Sequence, residues 1–165
     1  MIILGIDPGL AIVGWGVIEA KNGFFRPIDY GVITTPAKTD VTMRLEKIYD
    51  DMNALIERYK PDCMAIEELF FNTNQTTAIA VAEARGVILL SARHHGLEIG
   101  EYTPLQVKQA VVGYGKAEKK QVMMMTASLL RLKSIPRPDD AADALAIAMC
   151  HGQSSSSYLT RYLNR

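Results

Sequence analysis

The chain has 165 residues, the size of one domain that can bury its own hydrophobic core. Apolar residues make up 48% of it, which excludes an intrinsically disordered protein. The 18 basic and 18 acidic residues cancel, so net charge neither requires nor excludes a nucleic-acid partner, since partners respond to where charge lies.

Three short apolar runs open the chain and predict three strands joined by tight turns: residues 2–6, 11–18 and 24–35. The first run ends at Asp7-Pro8-Gly9, which is strong turn chemistry. The second and third are separated by Asn22-Gly23, the pair most typical of a β-hairpin. Pro27 places the third strand at a sheet edge. The sequence therefore predicts an antiparallel meander.

After this meander the apolar spacing changes to that of helices alternating with strands. The predicted elements are a helix over residues 43–59, a buried strand over 63–66 running into Glu67, a helix over 77–94, a strand over 97–103, two helical pieces over 104–132 broken around Gly113 and Gly115, and a helix over 140–151.

This order predicts an α/β fold: a mixed five-stranded sheet, its first three strands antiparallel, flanked by helices on both faces. Residues 1–152 are expected to form one domain, and the Ser-rich residues 153–165 a loosely ordered tail. Cys63 and Cys150 each lie in an apolar run, which predicts buried thiols in a reducing compartment. No apolar run approaches a membrane span and no targeting segment is recognised, so a cytoplasmic protein without a membrane partner is expected.

Acidic residues stand where two predicted buried strands end and where the last helix begins. Asp7 and Glu67 each follow a strand, so both are expected at one edge of the sheet. Asp140 and Asp143 are three residues apart on a helix and share a face. A different interpretation is that Asp139 or Asp140 caps this helix and that Asp143 complements its dipole, although the apolar surroundings of Asp143 fit that poorly.

Carboxylates crowded together repel one another, so such a group needs a cation. Oxygen donors alone suit Mg²⁺ or Mn²⁺ better than Zn²⁺. Two ions held by four acids would activate water for phosphodiester hydrolysis. No GxxxxGK[ST] loop is present, so P-loop nucleotide hydrolysis is unsupported. The histidines, His94, His95 and His151, are poor candidates for ligands, and the role of His151 stays open.

Four segments together resemble the RuvC-type Holliday junction resolvases of the ribonuclease H-like nuclease superfamily: GIDPG, AIEELFF, QVKQAVVGYGKAEKKQV and DDAADALAIAMCH. The resemblance extends from Met1 to His151, with the motifs in order. It implies a ribonuclease H-like fold and a magnesium-dependent endonuclease. Its catalytic and metal-binding carboxylates would be Asp7, Glu67, Asp140 and Asp143.

The resemblance also implies further site residues and partners. Phe70 matches an aromatic residue near the junction centre, and Lys108 and Lys119 match basic positions associated with DNA binding and cleavage. The implied protein is a homodimer that nicks two strands of a four-way junction symmetrically, in recombination and DNA repair, beside a branch-migration motor.

The residues themselves indicate a similar DNA-binding surface. Lys108, Lys116, Lys119 and Lys120 lie around the glycine-broken GYGKAEKK connection, where lysines suit contacts with the DNA backbone. A solvated helix face with Glu118 as an ion-pair partner is the alternative.

Two adjacent aromatic residues precede the polar NTNQTT segment, and one of them is expected to be exposed and able to stack at a branch point. Alternation does not tell whether it is Phe70 or Phe71; the resemblance points to Phe70.

The helix over 77–94 is apolar on more than one side, so both sides are expected to be covered. One side packs on the sheet. The other either is buried in the monomer or meets a second subunit through Ala82, Gly86 and Leu89 or Leu90. Two cuts by a chain with one carboxylate group require two copies, for which an isologous dimer is the common solution.

Two other functions share these features. A ribonuclease H acting on RNA–DNA hybrids would have the same acids but act as a monomer. A non-catalytic junction-binding protein would not need four intact acids together.

Overall fold

The computed structural model describes residues 1–68 and 75–163. Its elements, in chain order, are β1 (Ile2–Asp7), β2 (Ile12–Lys21), β3 (Phe24–Thr34), α1 (Val41–Tyr59), β4 (Cys63–Glu67), α2 (Gln75–His94), β5 (Glu98–Tyr102), α3 (Pro104–Val112), α4 (Lys119–Leu129) and α5 (Asp139–Leu163). In the described part of the chain, no helix combines the length and apolar character that a membrane span requires.

The five strands form one sheet in the order β3-β2-β1-β4-β5. The first three are antiparallel, and β4 and β5 continue parallel to β1, which confirms the predicted mixed sheet. Asn22 and Gly23 both have positive φ in the β2–β3 turn, as a two-residue hairpin requires. Pro27 lies on the edge strand β3, where its missing N–H costs no sheet hydrogen bond, also as predicted.

Each face of the sheet has its own hydrophobic core, because successive strand residues point to opposite sides. Leu4 and Ile6 of β1 belong to the core formed with α1 and α2. Ile3 belongs to the core formed with α3, α4 and α5, and so does Cys63 of β4. Cys63 and Cys150 are both buried and free, which confirms buried thiols.

Three glycines let α5 lie directly on β1 and β2. A Cβ on Gly5 would stand 2.1 Å from the Ala144 carbonyl oxygen, and one on Gly14 would stand 2.0 Å from the Asp140 carbonyl oxygen. A Cβ on Gly16 would meet the Leu145 side chain at 2.7 Å. Any larger residue would therefore push the helix away from the sheet.

The last helix is longer than predicted. It continues to Leu163, so the predicted end near His151 was wrong. Glycine and serine are weak helix formers, and Gly152 with the serines after it made the segment read as a tail. The Ser154 and Ser155 hydroxyls instead donate to the carbonyls one turn earlier, at 3.0 and 2.9 Å. The division of the chain at residue 152 into a domain and a loosely ordered tail stays a prediction.

The close approach of α5 predicts that Gly5→Ala destabilises the protein by roughly 1–3 kcal/mol, as overpacking does. Ser128→Ala is the control, because Ser128 is exposed on helix α4 and its replacement creates no new packing contact. It is expected to be neutral or to stabilise by up to about 1 kcal/mol. Urea unfolding measures both. Equal stabilities for the two variants would contradict close packing at Gly5.

Candidate active site

Two acids lie side by side where neighbouring parallel strands end. In the β1–β4 ladder Ile6 is opposite Ile66, and the next residues are Asp7 and Glu67. Asp7 is two residues after Gly5, which faces α5, and Glu67 has the corresponding position in β4. Because alternate residues of a strand share a face, both acidic side chains point to the α5 side of the sheet. The sheet thus brings together two residues that are 60 positions apart in the sequence.

Helix α5 carries the other two acids to the same edge. Its first turn stands on Gly14, which is the ladder partner of Asp7. Asp140 and Asp143 are therefore held near the end of β1. Charge interactions of Asp7 with Glu67, Asp143 and Asp140 reflect this gathering.

Burial and the negative charges of neighbouring acids disfavour ionisation of Asp7, Glu67 and Asp143. Burial, followed by the charges of Glu67, Asp143 and Asp140, raises the pKa of Asp7 to about 8. Burial and then the Asp143 charge raise the pKa of Glu67. The pKa of Asp143 is raised by burial although Lys119 opposes that shift. The site is thus an anionic group that favours a bound cation.

Lys119 supplies a positive charge inside this group. Its Nζ lies 2.8 Å from Asp143 Oδ2, and that hydrogen bond is the main reason why its pKa is raised. Lys119 is the first residue of α4, so the connection between α3 and α4 decides where the ammonium group lies.

A cleft of about 240 Å³, here called the lysine cleft, opens beside the acids. Glu67 and Asp143 form its acidic side, and Lys108 and Lys119 form its basic side. The positive charge of Lys108 acts on Glu67 and lowers its pKa against the larger effect of burial. The structure therefore brings two of the four candidate lysines to the acids.

The remaining sequence candidates stand apart from this cleft or outside the described residues. Lys116 and Lys120 are exposed and do not line the lysine cleft. Phe70 and Phe71 lie outside the described residues, so the role of Phe70 stays a prediction.

His151 takes part in a half-buried hydrogen-bond chain that the sequence did not indicate. Its Nδ1 lies 2.9 Å from the Tyr102 hydroxyl and its Nε2 lies 3.2 Å from Cys63 Sγ. Burial lowers the pKa of His151 and raises that of Cys63 to about 11, so both groups are neutral. The chain ties α5 to β4 and β5. Tyr102 was missed because a tyrosine ending a strand carries no distinctive pattern.

The other two histidines make hydrogen bonds at the surface. His94 Nδ1 is 2.7 Å from the Tyr49 hydroxyl, and His95 Nδ1 is 3.0 Å from the Ser91 carbonyl oxygen. Asp139, the alternative helix-capping acid, pairs with Arg137 at 2.6 Å.

The four acids fit a hard divalent cation by their chemistry. All their donors are oxygens, three of the four have raised pKa values, and Lys119 is the counter-charge in direct contact. As the side chains stand in the described residues, no three His, Cys, Asp or Glu are arranged to coordinate one ion. What favours a metal here is therefore donor type, burial and excess negative charge.

The sequence matches one known protein family and several of its members closely. The family model described as crossover junction endodeoxyribonuclease RuvC matches residues 3–151. The protein of that name from Clostridioides difficile (strain 630) is 57% identical over 155 residues, which cover 94% of this chain and 92% of that protein. The one from Alkaliphilus metalliredigens (strain QYMF) is 59% identical over 154 residues, covering 93% and 94%.

Solved structures agree with the sequence relatives. Thermus thermophilus RuvC has a TM-score of 0.88 and 34% identity, covering 95% of this chain and 96% of that one. The same protein in complex with Holliday junction substrate has a TM-score of 0.87 and 32% identity, with the same coverage. The yeast mitochondrial Holliday junction resolvase Ydc2, at TM-score 0.72 and 13% identity over 98% of this chain and 81% of that one, shows a shared fold alone.

The fold expected from the resemblance, a mixed sheet of the ribonuclease H-like type, is confirmed by these structures and by the strand order. Since the family model spans nearly the whole chain and the relatives match it over most of their own length, this protein belongs to the RuvC family of crossover junction endodeoxyribonucleases.

Proposed function

We propose that this protein resolves four-way (Holliday) DNA junctions in recombination and repair, by symmetric nicks in two strands. The observation that carries the proposal is the gathering of Asp7 and Glu67 with the α5 acids beside the lysine cleft. Family membership supports the activity, and the junction bound by the Thermus thermophilus relative supports the substrate. This chemistry needs an anionic site that holds cations next to a basic surface that holds phosphates.

Asp7, Glu67, Asp140 and Asp143 are the residues that would hold Mg²⁺, with Mn²⁺ as a substitute and two ions per site. Such ions supply water activation and stabilise charge that develops on the phosphodiester. The acids of this chain would position the ions and balance their positive charge, because these side chains are partly buried and close together. No group of the protein needs to form a covalent bond with DNA.

Basic side chains of this chain would hold the phosphates. Lys108 and Lys119 line the lysine cleft and would bind the strand next to the acids. Lys116 and Lys120 are exposed and would contact the DNA backbone farther out. Phe70 would stack or wedge at the branch point.

A homodimer is the assembly that two symmetric cuts need. The inner side of α2 is buried through Ala84, Ile88 and Ala92. Its outer side is not covered by the residues that the structure describes, since Ile79 is 63% exposed and Leu90 is 49% exposed. That pattern favours a second subunit over a helix buried inside the monomer. The dimer surface would run along this outer side, around Gly86.

The remaining parts of the proposal rest on what the family implies. A branch-migration motor would be the partner, and the cytoplasm would be the location. No contact in the described part of the site favours a ribonuclease H acting on RNA–DNA hybrids. A non-catalytic junction-binding role would leave the grouping of four acids unexplained.

Replacing each of the four acids singly with its amide is expected to lower junction cleavage at least 100-fold, because it removes a metal-binding charge. Junction binding without metal should persist or improve, since a negative charge near phosphate is lost. Cleavage of a labelled four-way junction, a linear duplex and an RNA–DNA hybrid with Mg²⁺ measures activity and substrate class. Wild-type cleavage of the hybrid alone would contradict junction resolution.

Asp139→Asn is the matched control for this series. Asp139 lies on the same helix, but its carboxylate pairs with Arg137. Cleavage is expected to stay within a few-fold of wild type. Near-normal cleavage by Asp143→Asn would instead remove Asp143 from the site and restore its interpretation as a helix-dipole residue.

The raised pKa of Asp7 predicts how stability depends on pH in EDTA. Between its unfolded value of 3.8 and about 8, the folded protein keeps a proton that the unfolded chain has released. The contribution of Asp7 to the free energy of unfolding is therefore fully present below pH 4. It decreases as pH rises toward 8, by at most about 1.4 kcal/mol per pH unit. Asp7→Asn should remove this loss, so its advantage over wild type grows from pH 5 to pH 8.

Adding Mg²⁺ at pH 8 is expected to raise the melting temperature of wild type and to leave that of Asp7→Asn nearly unchanged. Thermal unfolding with EDTA and with Mg²⁺ measures both effects without any cleavage. Identical pH profiles for the two proteins would show that Asp7 is not in a repulsive buried group.

The dimer predicts that Gly86→Glu yields a folded monomer that binds junctions weakly and does not make paired nicks. A charge there would be buried without a partner between subunits. Lys21→Glu, at the exposed end of β2 and away from α2, is a control for altered charge alone. Sedimentation gives the oligomeric state, and a wild-type protein that stays monomeric on junction DNA would contradict symmetric resolution.

A further inference from the structure

A second groove opens at the sheet edge that carries the acids, on the side of α1 and α2. Here called the arginine groove, it has a volume of about 510 Å³ and is lined by Gly9, Leu10, Ala11, Ile12, Arg44, Ala80, Val81 and Asp140. Asp140 belongs to the candidate active site, so this groove reaches the acids. The lysine cleft reaches them from the opposite side, through α3, α4 and α5.

Arg44 is anchored to the turn that follows Asp7. Its Nε donates to Thr35 Oγ1 at 2.8 Å, and that buried hydroxyl donates to the Leu10 carbonyl oxygen at 2.5 Å. The β1–β2 turn is also joined to the end of β3, since the Thr35 N–H donates to the Ala11 carbonyl oxygen at 3.0 Å. The guanidinium is therefore held in place by one of its five N–H groups, and no residue among those described is bonded to the four on its Nη atoms.

No acid neutralises Arg44 within the part of the chain that the structure describes. Every ion pair found there involves another basic residue. The lysine in the active site differs in this respect, because Lys119 already contacts Asp143. Arg44 is half-buried, so its charge is only partly solvated. A fixed, half-buried cation without an acid partner is suited to binding an anion.

The helix does not account for this charge either. Arg44 lies in the first turn of α1, which Asp40 caps and which contains no acidic residue. A positive charge at that end opposes the helix dipole and costs about 0.3–1 kcal/mol. A neutral side chain would stabilise the helix better, so the helix gives no reason for a positive charge at this position.

We propose that Arg44 binds a backbone phosphate of the strand being cut. That phosphate lies on the side of the acids away from the lysine cleft. The inference rests on the proposed junction-cleaving function and adds a binding residue to it. A planar guanidinium suits two oxygens of one phosphate. The strand then crosses the acids with Lys108 and Lys119 holding one flank and Arg44 the other.

Salt dependence of junction binding tests the charge directly, with Ca²⁺ or EDTA present to prevent cleavage. Loss of one phosphate contact lowers the slope of log K against log salt by about 0.7–0.9. Arg44→Gln should show that reduction together with weaker binding at low salt. Arg44→Lys should keep the wild-type slope, because it keeps the charge.

Two further variants separate binding from folding. Lys47→Gln, one turn along α1, removes a lysine that pairs with Asp51 at 2.5 Å and should leave the slope unchanged. Thr35→Val removes the anchor of Arg44 but not its charge, so affinity should fall several-fold with an unchanged slope. A slope equal to wild type for Arg44→Gln, with a lowered melting temperature, would make Arg44 a structural residue and overturn the proposal.

Uncharged analogues of single phosphates identify the phosphate that Arg44 contacts. Junctions with a single methylphosphonate at successive positions around the scissile phosphate are compared for wild type and Arg44→Gln. One flanking position should weaken wild-type binding and have no further effect on the variant. If the methylphosphonate weakens binding of both proteins equally at every position, the contact with Arg44 is overturned. Cleavage of the unmodified junction by wild type would in that case still support the proposed function. If wild type neither binds nor cuts junctions, the proposed function itself fails.

Discussion

The close packing of α5 on β1 and β2 is the constraint on which the rest of the site depends. Gly5, Gly14 and Gly16 leave no room for a Cβ beneath this helix, so its distance from the sheet is set by backbone contact. Asp140 and Asp143 begin the same helix, and their height above the ends of β1 and β4 follows from that contact. Glycines that carry no functional group thus set the geometry of the acids, since close-packed interiors transmit displacements with little relaxation.

Gathering acids at one edge has an electrostatic cost, and the surrounding positive charges are placed to offset it. The pKa of Asp7 rises to about 8 through burial and its acidic neighbours. Lys119 contacts Asp143 directly, while Lys108 acts on Glu67 from the wall of the lysine cleft. The same excess negative charge that destabilises the protein without metal would favour the binding of a divalent cation. Stability and metal affinity are therefore opposed at these residues.

The local pattern of the sequence was sufficient for the sheet and for the identity of the acids. Alternating apolar runs, the Asn22-Gly23 turn and the position of Pro27 predicted the antiparallel strands, because these signals act within a few residues. Asp7 and Glu67 were identifiable because each ends a buried strand. The end of α5 was misplaced since Gly152 and the following serines have low helix propensity, which tertiary contacts and hydrogen bonds such as that of Ser154 override.

The sequence by itself determined the kind of fold, the acids and the family motifs, since short-range patterns and residue chemistry carry that information. Only the tertiary structure decided which charges meet. It joined Lys119 to Asp143, left Lys116 outside the lysine cleft and anchored Arg44 beside the acids through Thr35. Those pairings depend on packing between elements that are distant along the chain, so no spacing in the sequence encodes them. Which face of a helix meets which neighbour is decided only when the helices pack on both sides of the sheet.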